Sequence, residues 1–207
     1  MESIKKDLKI SILVGFLAGI LIIPTLRNIG VSIDVKTGIL SVIGLLVFTP
    51  SGYLAAVFFS RWFPIMLQIV KFGISGGLSA MIDLGILNSL ISLSGIYSGL
   101  YFSLFKGISY VVAVTNSYLW NKYWTFSSHS SASSGEFFKF IFANLIGFGF
   151  NIGGASLGVN VIGAPAGVSG ELWANGGAVS MVFVSMTWNF LSMKFLVFKV
   201  GITLFYN

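Results

Sequence analysis

The chain has no cysteine and a single histidine among its 207 residues. Disulfides, thiol catalysis and thiolate metal sites are therefore excluded, and His129 alone cannot build a histidine cluster for a metal. Charge is just as scarce. Only 9% of residues are charged and six are acidic, too few to solvate the surface of a soluble domain of this length. Paired-carboxylate catalysis has little to draw on. There is no Gly-x-x-x-x-Gly-Lys phosphate loop and no Asp-x-Asp pair, so nucleotide hydrolysis by that route is ruled out and a nucleotide-sugar domain is missing. An enzyme is not expected, and nothing in the sequence asks for a cofactor.

What the chain does have is apolar residue: 56% of it is hydrophobic, with a mean hydropathy of +0.93. Such a surface faces lipid, and the sequence is that of an integral membrane protein. The formal charge of +6 comes from Lys and Arg at the ends of apolar spans. These are orientation and headgroup anchors, and nucleic acid is not an expected partner. The first residues, MESIKKDLKISILVGFLAGILII, have the basic and apolar regions of a signal peptide without a small-x-small cleavage site, which reads as a retained anchor.

Runs long enough to cross about 30 Å of hydrocarbon lie near 10–26, 37–60, 72–95, 100–121, 137–158 and 174–197. Six helices are expected, the first ending at Pro24 and the second kinked at Pro50. Lys5, Lys6, Lys9, Arg61, Lys71, Lys122, Lys139, Lys194 and Lys199 fall on one side, which puts both termini in the cytoplasm. Trp62, Trp120, Tyr123 and Trp124 cluster at that boundary, as amphipathic rings do at the headgroup level. The run SSHSSASSG (127–135) reads as a flexible linker, and the Gly-rich stretch 158–173 as an irregular extracytoplasmic loop.

The stretches on either side of that linker are related. Lys71-Phe72 and Lys139-Phe140 open spans 3 and 5, and Asp83 and Asn151 follow at the same spacing. Lys122-Tyr-Trp-Thr-Phe126 closes span 4 and Lys194-Phe-Leu-Val-Phe198 closes span 6, with Asn116 and Asn189 one to two turns earlier. The expected fold class is thus an all-α integral membrane protein whose last four helices form two related, parallel-oriented hairpins, 71–126 and 137–198.

Asp83 is the one acid expected within the membrane, where an ionised group needs a partner. Counting about 1.5 Å per residue puts Asp83 about 17 Å deep on span 3 and Lys106 about 22 Å deep on span 4, within reach of a lysine stem. In the second hairpin Asn151 is neutral, and Ala178 or Val179 stands where Lys106 would be. The pair serves either to fix helix register or as a ligand or gating site. Helical spacing places Gly76, Ser79, Ala80 and Asp83 on one stripe, Lys106, Ser109, Ala113 and Asn116 on a second, Asn144, Gly147, Asn151 and Gly154 on a third, and Ser185, Asn189 and Ser192 on a fourth. These stripes converge on a bundle interior, either as tight packing or as a hydrated cleft for sugar hydroxyls and a phosphate.

The ending Asn116-Ser-Tyr-Leu-Trp-Asn121-Lys122-Tyr-Trp124-Thr-Phe126 resembles that of the GtrA-like membrane proteins of cell-surface polysaccharide synthesis. That family typically has four spans, the second closing in Asn-Phe-x-x-Asn-Arg-x-Trp-x-Phe. Asn116, Asn121, Trp124 and Phe126 correspond, with Ser117 for the aromatic, Lys122 for the Arg and one more residue between the two Asn than the pattern has. The resemblance covers about residues 67–200, leaving 1–66 as two additional helices. It implies a multi-pass protein of the cytoplasmic membrane that translocates a polyprenyl-phosphate-linked sugar made by a separate membrane-associated glycosyltransferase. Asp83, Lys106, Asn116, Asn121, Lys122, Asn144, Asn151 and Asn189 are the candidate substrate-binding residues. Lys122 reads either as a phosphate contact or as a headgroup anchor beside Trp124. Two other functions are compatible with the sequence: a non-transporting subunit that recruits or stabilises a glycosyltransferase, and a transporter of small solutes or ions. A homo-oligomer is compatible with each.

Overall fold

The computed structural model describes residues 2–128 and 130–200, without the side chains of Glu171 and Leu172, and every regular element among them is helical. Linker position 129 and residues 201–207, with the expected cytoplasmic C-terminus, lie outside the described residues. The order is α1 (Glu2–Leu21), α2 (Ile23–Asn28), α3 (Val35–Phe59), α4 (Ile65–Ser94), α5 (Gly99–Trp120), α6 (Ser134–Leu157) and α7 (Gly170–Ser192). Short π-helical turns follow α5, α6 and α7. Among the described residues, five helical stretches are long and apolar enough to cross a membrane: Glu2–Asn28, Val35–Phe59, Ile65–Ser94, Ser134–Ile162 and Trp173–Val197. The remaining long helix, α5, has 22 residues, but Lys106, Asn116 and its Ser and Tyr residues make it more polar than those five.

Local chemistry sets the helix ends. Asp34 accepts the Thr37 N–H at 2.7 Å and starts α3; Ser133 accepts the Glu136 N–H at 3.1 Å and starts α6, the Ser-x-x-Glu pattern of a capping box. Gly95 closes α4 with φ +70°, a left-handed value suited to glycine. Three expected boundaries move. The first helix starts at Glu2, because Asp7 finds a partner inside the protein. Pro24 opens α2 instead of ending α1, since the first turn of a helix needs no N–H from proline. Of the expected loop at 158–173, residues 158–162 continue α6 as a π turn and Gly170 already begins α7. Helix α3 runs across Pro50 as expected.

By packing, the chain divides into one unit up to Ser127 and a second from Ser128. In the first, α1 lies against α3 and α4, α2 lies against α4, and α4 pairs with α5. Small residues bring these backbones together. A Cβ on Gly15 would sit 2.3 Å from the Leu45 carbonyl oxygen, one on Gly19 2.6 Å from Val42 Cα, and one on Gly85 2.7 Å from the Leu21 carbonyl oxygen. Val14 and Ala18 of α1 form a buried cluster with Leu78 of α4, flanked by Ile74 and Ile82. Close backbone approach of this kind is how membrane helices gain dispersion contact where lipid supplies no hydrophobic drive. The helices outside the family resemblance, α1 to α3, are therefore packing partners of the first hairpin.

In the second unit α6 pairs with α7, and its internal geometry repeats that of α4 and α5. Each hairpin ends in a π turn, Asn121–Thr125 in one and Met193–Val197 in the other. Each turn is closed by an i→i+5 bond of 2.9 Å, from the Phe126 N–H to Asn121 and from the Phe198 N–H to Met193. Phe72 meets Phe126 with ring centroids 6.3 Å apart, and Phe140 meets Phe198 at 6.3 Å. The residue after each of these closing phenylalanines has positive φ, Ser127 at 48° and Lys199 at 51°.

Candidate functional site

The face that α4 turns toward α5 carries a polar seam. Lys106 Nζ forms an ion pair with Asp83 Oδ2, and Ser109 Oγ donates to Asp83 Oδ1 at 2.6 Å. One lone pair on each carboxylate oxygen is thus met, which is what makes an ionised group tolerable at this depth. The Asp83 side chain is 22% exposed and that of Lys106 45%, so the lysine is the reachable member of the pair. Two turns along α5, Asn116 Nδ2 donates to Ser79 Oγ at 3.2 Å, while its Oδ1 accepts from Trp120 Nε1 at 3.0 Å. Ser79 Oγ donates to the Ser75 carbonyl at 2.9 Å, and the Ser75 and Thr125 hydroxyls lie 3.0 Å apart. The seam runs through Ser75 and Ser79. Gly76 and Ala80, expected on this stripe, are exposed.

Asn121 and Lys122 sit on the π turn that continues α5. Asn121 Nδ2 is held by the Ser117 carbonyl at 2.8 Å, and its Oδ1 is buried with no hydrogen-bond donor. Lys122 is 0% exposed, its ammonium lying 6.0 Å from the Tyr118 ring centroid and 5.9 Å from that of Tyr123. It is not the solvent-reaching anchor of the alternative reading. The wider π turn brings it onto the inner face of the hairpin, where cation–π attraction offsets part of its desolvation.

A second charged cluster has no counterpart in the sequence reading. Asp7, which precedes the first expected span, is 8% exposed. It pairs with Lys71, accepts from Trp124 Nε1 at 2.9 Å and lies 3.4 Å from the Tyr53 hydroxyl. The Lys71 ammonium also stands 5.7 Å from the Trp124 ring centroid. Asp83 is consequently not the only acid within an apolar span, and Trp124 is a buried hydrogen-bond donor.

The remaining candidates belong to the second unit. Asn144 Nδ2 bonds the Phe140 carbonyl of its own helix at 2.8 Å, and Asn151 is half-buried. Asn189 Oδ1 is buried with no donor and lies against Gly147, where a Cβ would approach it to 2.2 Å. Lys194 occupies the position of Lys122 and is likewise buried, 5.9 Å from the Phe190 ring centroid. Beside α6 lies an open apolar groove of about 650 Å³, with Lys139, Phe142, Ile146, Trp188 and Leu196 in its lining. The structure therefore joins Asp83, Lys106 and Asn116 in one seam, places Asn121 and Lys122 on the turn beyond it, and sets Asn144, Asn151 and Asn189 in the repeat. Among the described residues no group of His, Cys, Asp and Glu could hold a metal ion.

Residues 71–198 match the family model for the GtrA/DPMS transmembrane domain. No curated protein and no solved structure matches the chain. The match begins at the first lysine of the first hairpin and ends at the phenylalanine closing the second π turn. With both hairpins inside it, the chain belongs to the GtrA/DPMS transmembrane-domain family and is a multi-pass membrane protein of glycan synthesis.

Proposed function

We propose that this protein translocates a polyprenyl-phosphate-linked sugar across the cytoplasmic membrane, acting without catalysis on a lipid made by a partner glycosyltransferase. The observation that carries the reading is the Asp83, Lys106 and Ser109 cluster inside the α4–α5 hairpin. A half-exposed ammonium held by a carboxylate can exchange that partner for a phosphate, and Asp83 keeps the lysine oriented while the site is empty. Asn116 and the unpaired Asn121 Oδ1 suit sugar hydroxyls, which both donate and accept. In this reading α5, about 33 Å long at 1.5 Å per residue, is a sixth span and both ends of the chain face the cytoplasm. Transport is then downhill, drawn by consumption of the sugar on the far side or coupled to an ion gradient.

A second reading, a non-transporting subunit that holds a glycosyltransferase, is favoured by one observation. Several polar groups are spent on their own helix: the Ser75 hydroxyl on the Lys71 carbonyl, Asn121 on Ser117 and Asn144 on Phe140. Purified protein in liposomes carrying a fluorescent polyprenyl-phosphate sugar separates the two. Quenching of inner-leaflet label by an outside reagent, dependent on the protein alone and lost in Lys106→Met, supports translocation. Label that stays protected with folded protein present overturns it.

A further inference from the structure

We infer that the uncovered face of α6 is a docking site for a membrane helix of another protein, one that is apolar, small-residue rich and bears a carboxylate near its start. The two hairpins supply the argument, because the first shows the corresponding face of α4 occupied. There α1 lies along Lys71, Ile74, Leu78 and Gly85. Asp7 neutralises Lys71, Val14 and Ala18 cover Leu78 and Ile74, and Gly85 admits the Leu21 carbonyl so closely that a Cβ would stand 2.7 Å from it.

Lys139, Phe142, Ile146 and Gly153 hold the same places on α6, each standing to Lys139 as its counterpart stands to Lys71. The positions facing inward in both hairpins are buried alike: Phe72 and Phe140, Ser75 and Ala143, Ser79 and Gly147. The α1-facing positions differ. Leu78 is buried, whereas Ile146 is half-buried and Phe142 is 65% exposed. Gly85 is buried under α1, whereas Gly153 is exposed with nothing within 4 Å of its would-be Cβ. Lys139 is exposed, and no described carboxylate pairs with it. Three of these four residues adjoin open space as the groove of about 650 Å³.

The occupant follows from what α1 supplies. A lysine at one end of an apolar groove suits any anionic amphiphile, but a glycine at the close-approach position is useful only to a backbone, since an acyl chain packs equally well on a larger side chain. The helix on α4 places its carboxylate at the lysine and its backbone at the glycine, and a partner helix of the same pattern meets both requirements on α6. This inference stands apart from the translocation reading, and its test does not measure transport.

The probe is a synthetic peptide of residues 2–28 with a photoreactive group at Val14, added to the full-length protein in phosphatidylcholine liposomes. Saturable cross-linking to α6 at Phe142 and Ile146 is expected, above that of a scrambled peptide of equal composition. Gly153→Leu, on an open surface and so neutral to folding, should reduce it by about tenfold. Lys139→Glu should do the same, and an Asp7→Lys peptide should restore cross-linking to that variant. Failure to exceed the scrambled peptide overturns the inference, as does cross-linking indifferent to Gly153→Leu. Displacement by phosphatidylglycerol at ordinary membrane fractions would also overturn it, by assigning the groove to lipid.

Discussion

Asp7→Asn is the most informative single change in the first unit. It keeps the side chain's size and leaves an oxygen to accept from Trp124 Nε1, now at 2.9 Å, so the main loss is the counter-charge of Lys71. The two side chains are 11% and 14% exposed, close to the regime in which removing one partner of a buried pair is worth about 3–5 kcal/mol. Lys71 lies near the start of α4 and its stem can extend toward headgroups, which moves the expectation to the lower end, about 3 kcal/mol. That corresponds to roughly a hundredfold in the unfolding equilibrium. Lys71→Met in the same chain removes the stranded ammonium and should recover at least half of the loss, a coupling that a double-mutant cycle resolves. Reversible unfolding in mixed micelles, followed by tryptophan fluorescence, provides the measurement. A loss below about 1 kcal/mol, or two single losses that add in the double variant, would refute the buried-pair account.

For Asp83 and Lys106 a smaller effect is expected, about 1–3 kcal/mol for either single change, because Lys106 is nearly half exposed. Asp83→Asn with Lys106→Met should regain stability while losing translocation; a stable double variant that still transports would confine the pair to a structural role. Gly85→Leu should detach α1 from α4, since its Cβ would start 2.7 Å from a backbone oxygen, and overpacking of this kind typically costs about 1–3 kcal/mol or more; unchanged protease resistance of residues 2–28 would contradict it. Asp34 is held below its ordinary carboxylate range by the Thr37 hydrogen bonds. Its contribution to α3 is thus present at neutral pH and lost as pH falls through the folded-state value, so Thr37 amide exchange should accelerate in acid more in the wild type than in Asp34→Ser.

The sequence reading and the structure agree where the physics is local or one-dimensional. The Asp83–Lys106 pair could be found by counting rise per residue along two helices joined by a short turn, because antiparallel neighbours share a depth scale. The stripe on α4 holds at Ser79 and Asp83 but runs through Ser75 in place of Gly76 and Ala80, because small residues occupy both faces and leave the phase of the helix open. Asp7 was illegible for a different reason. Three lysines surround it in sequence, so its neighbours pointed to the headgroup region, whereas its true partners Tyr53, Lys71 and Trp124 lie on other elements, Trp124 at the far end of the unit. The π turns were equally hidden, since nothing in NKYWT or MKFLV distinguishes an i→i+5 bond from an i→i+4 one.

Those turns bear on how the protein tolerates change in length. A π turn accommodates one residue more than the α-helical turn it replaces, and every side chain beyond it is rotated by about 100° relative to an uninterrupted helix. Deleting a single residue between Asn121 and Thr125 would let the segment relax into ordinary helix without breaking the chain's path. The same deletion would swing Trp124 and Phe126 off the faces where they meet Asp7 and Phe72. Residue number, more than residue identity, is therefore what the end of each hairpin has to preserve.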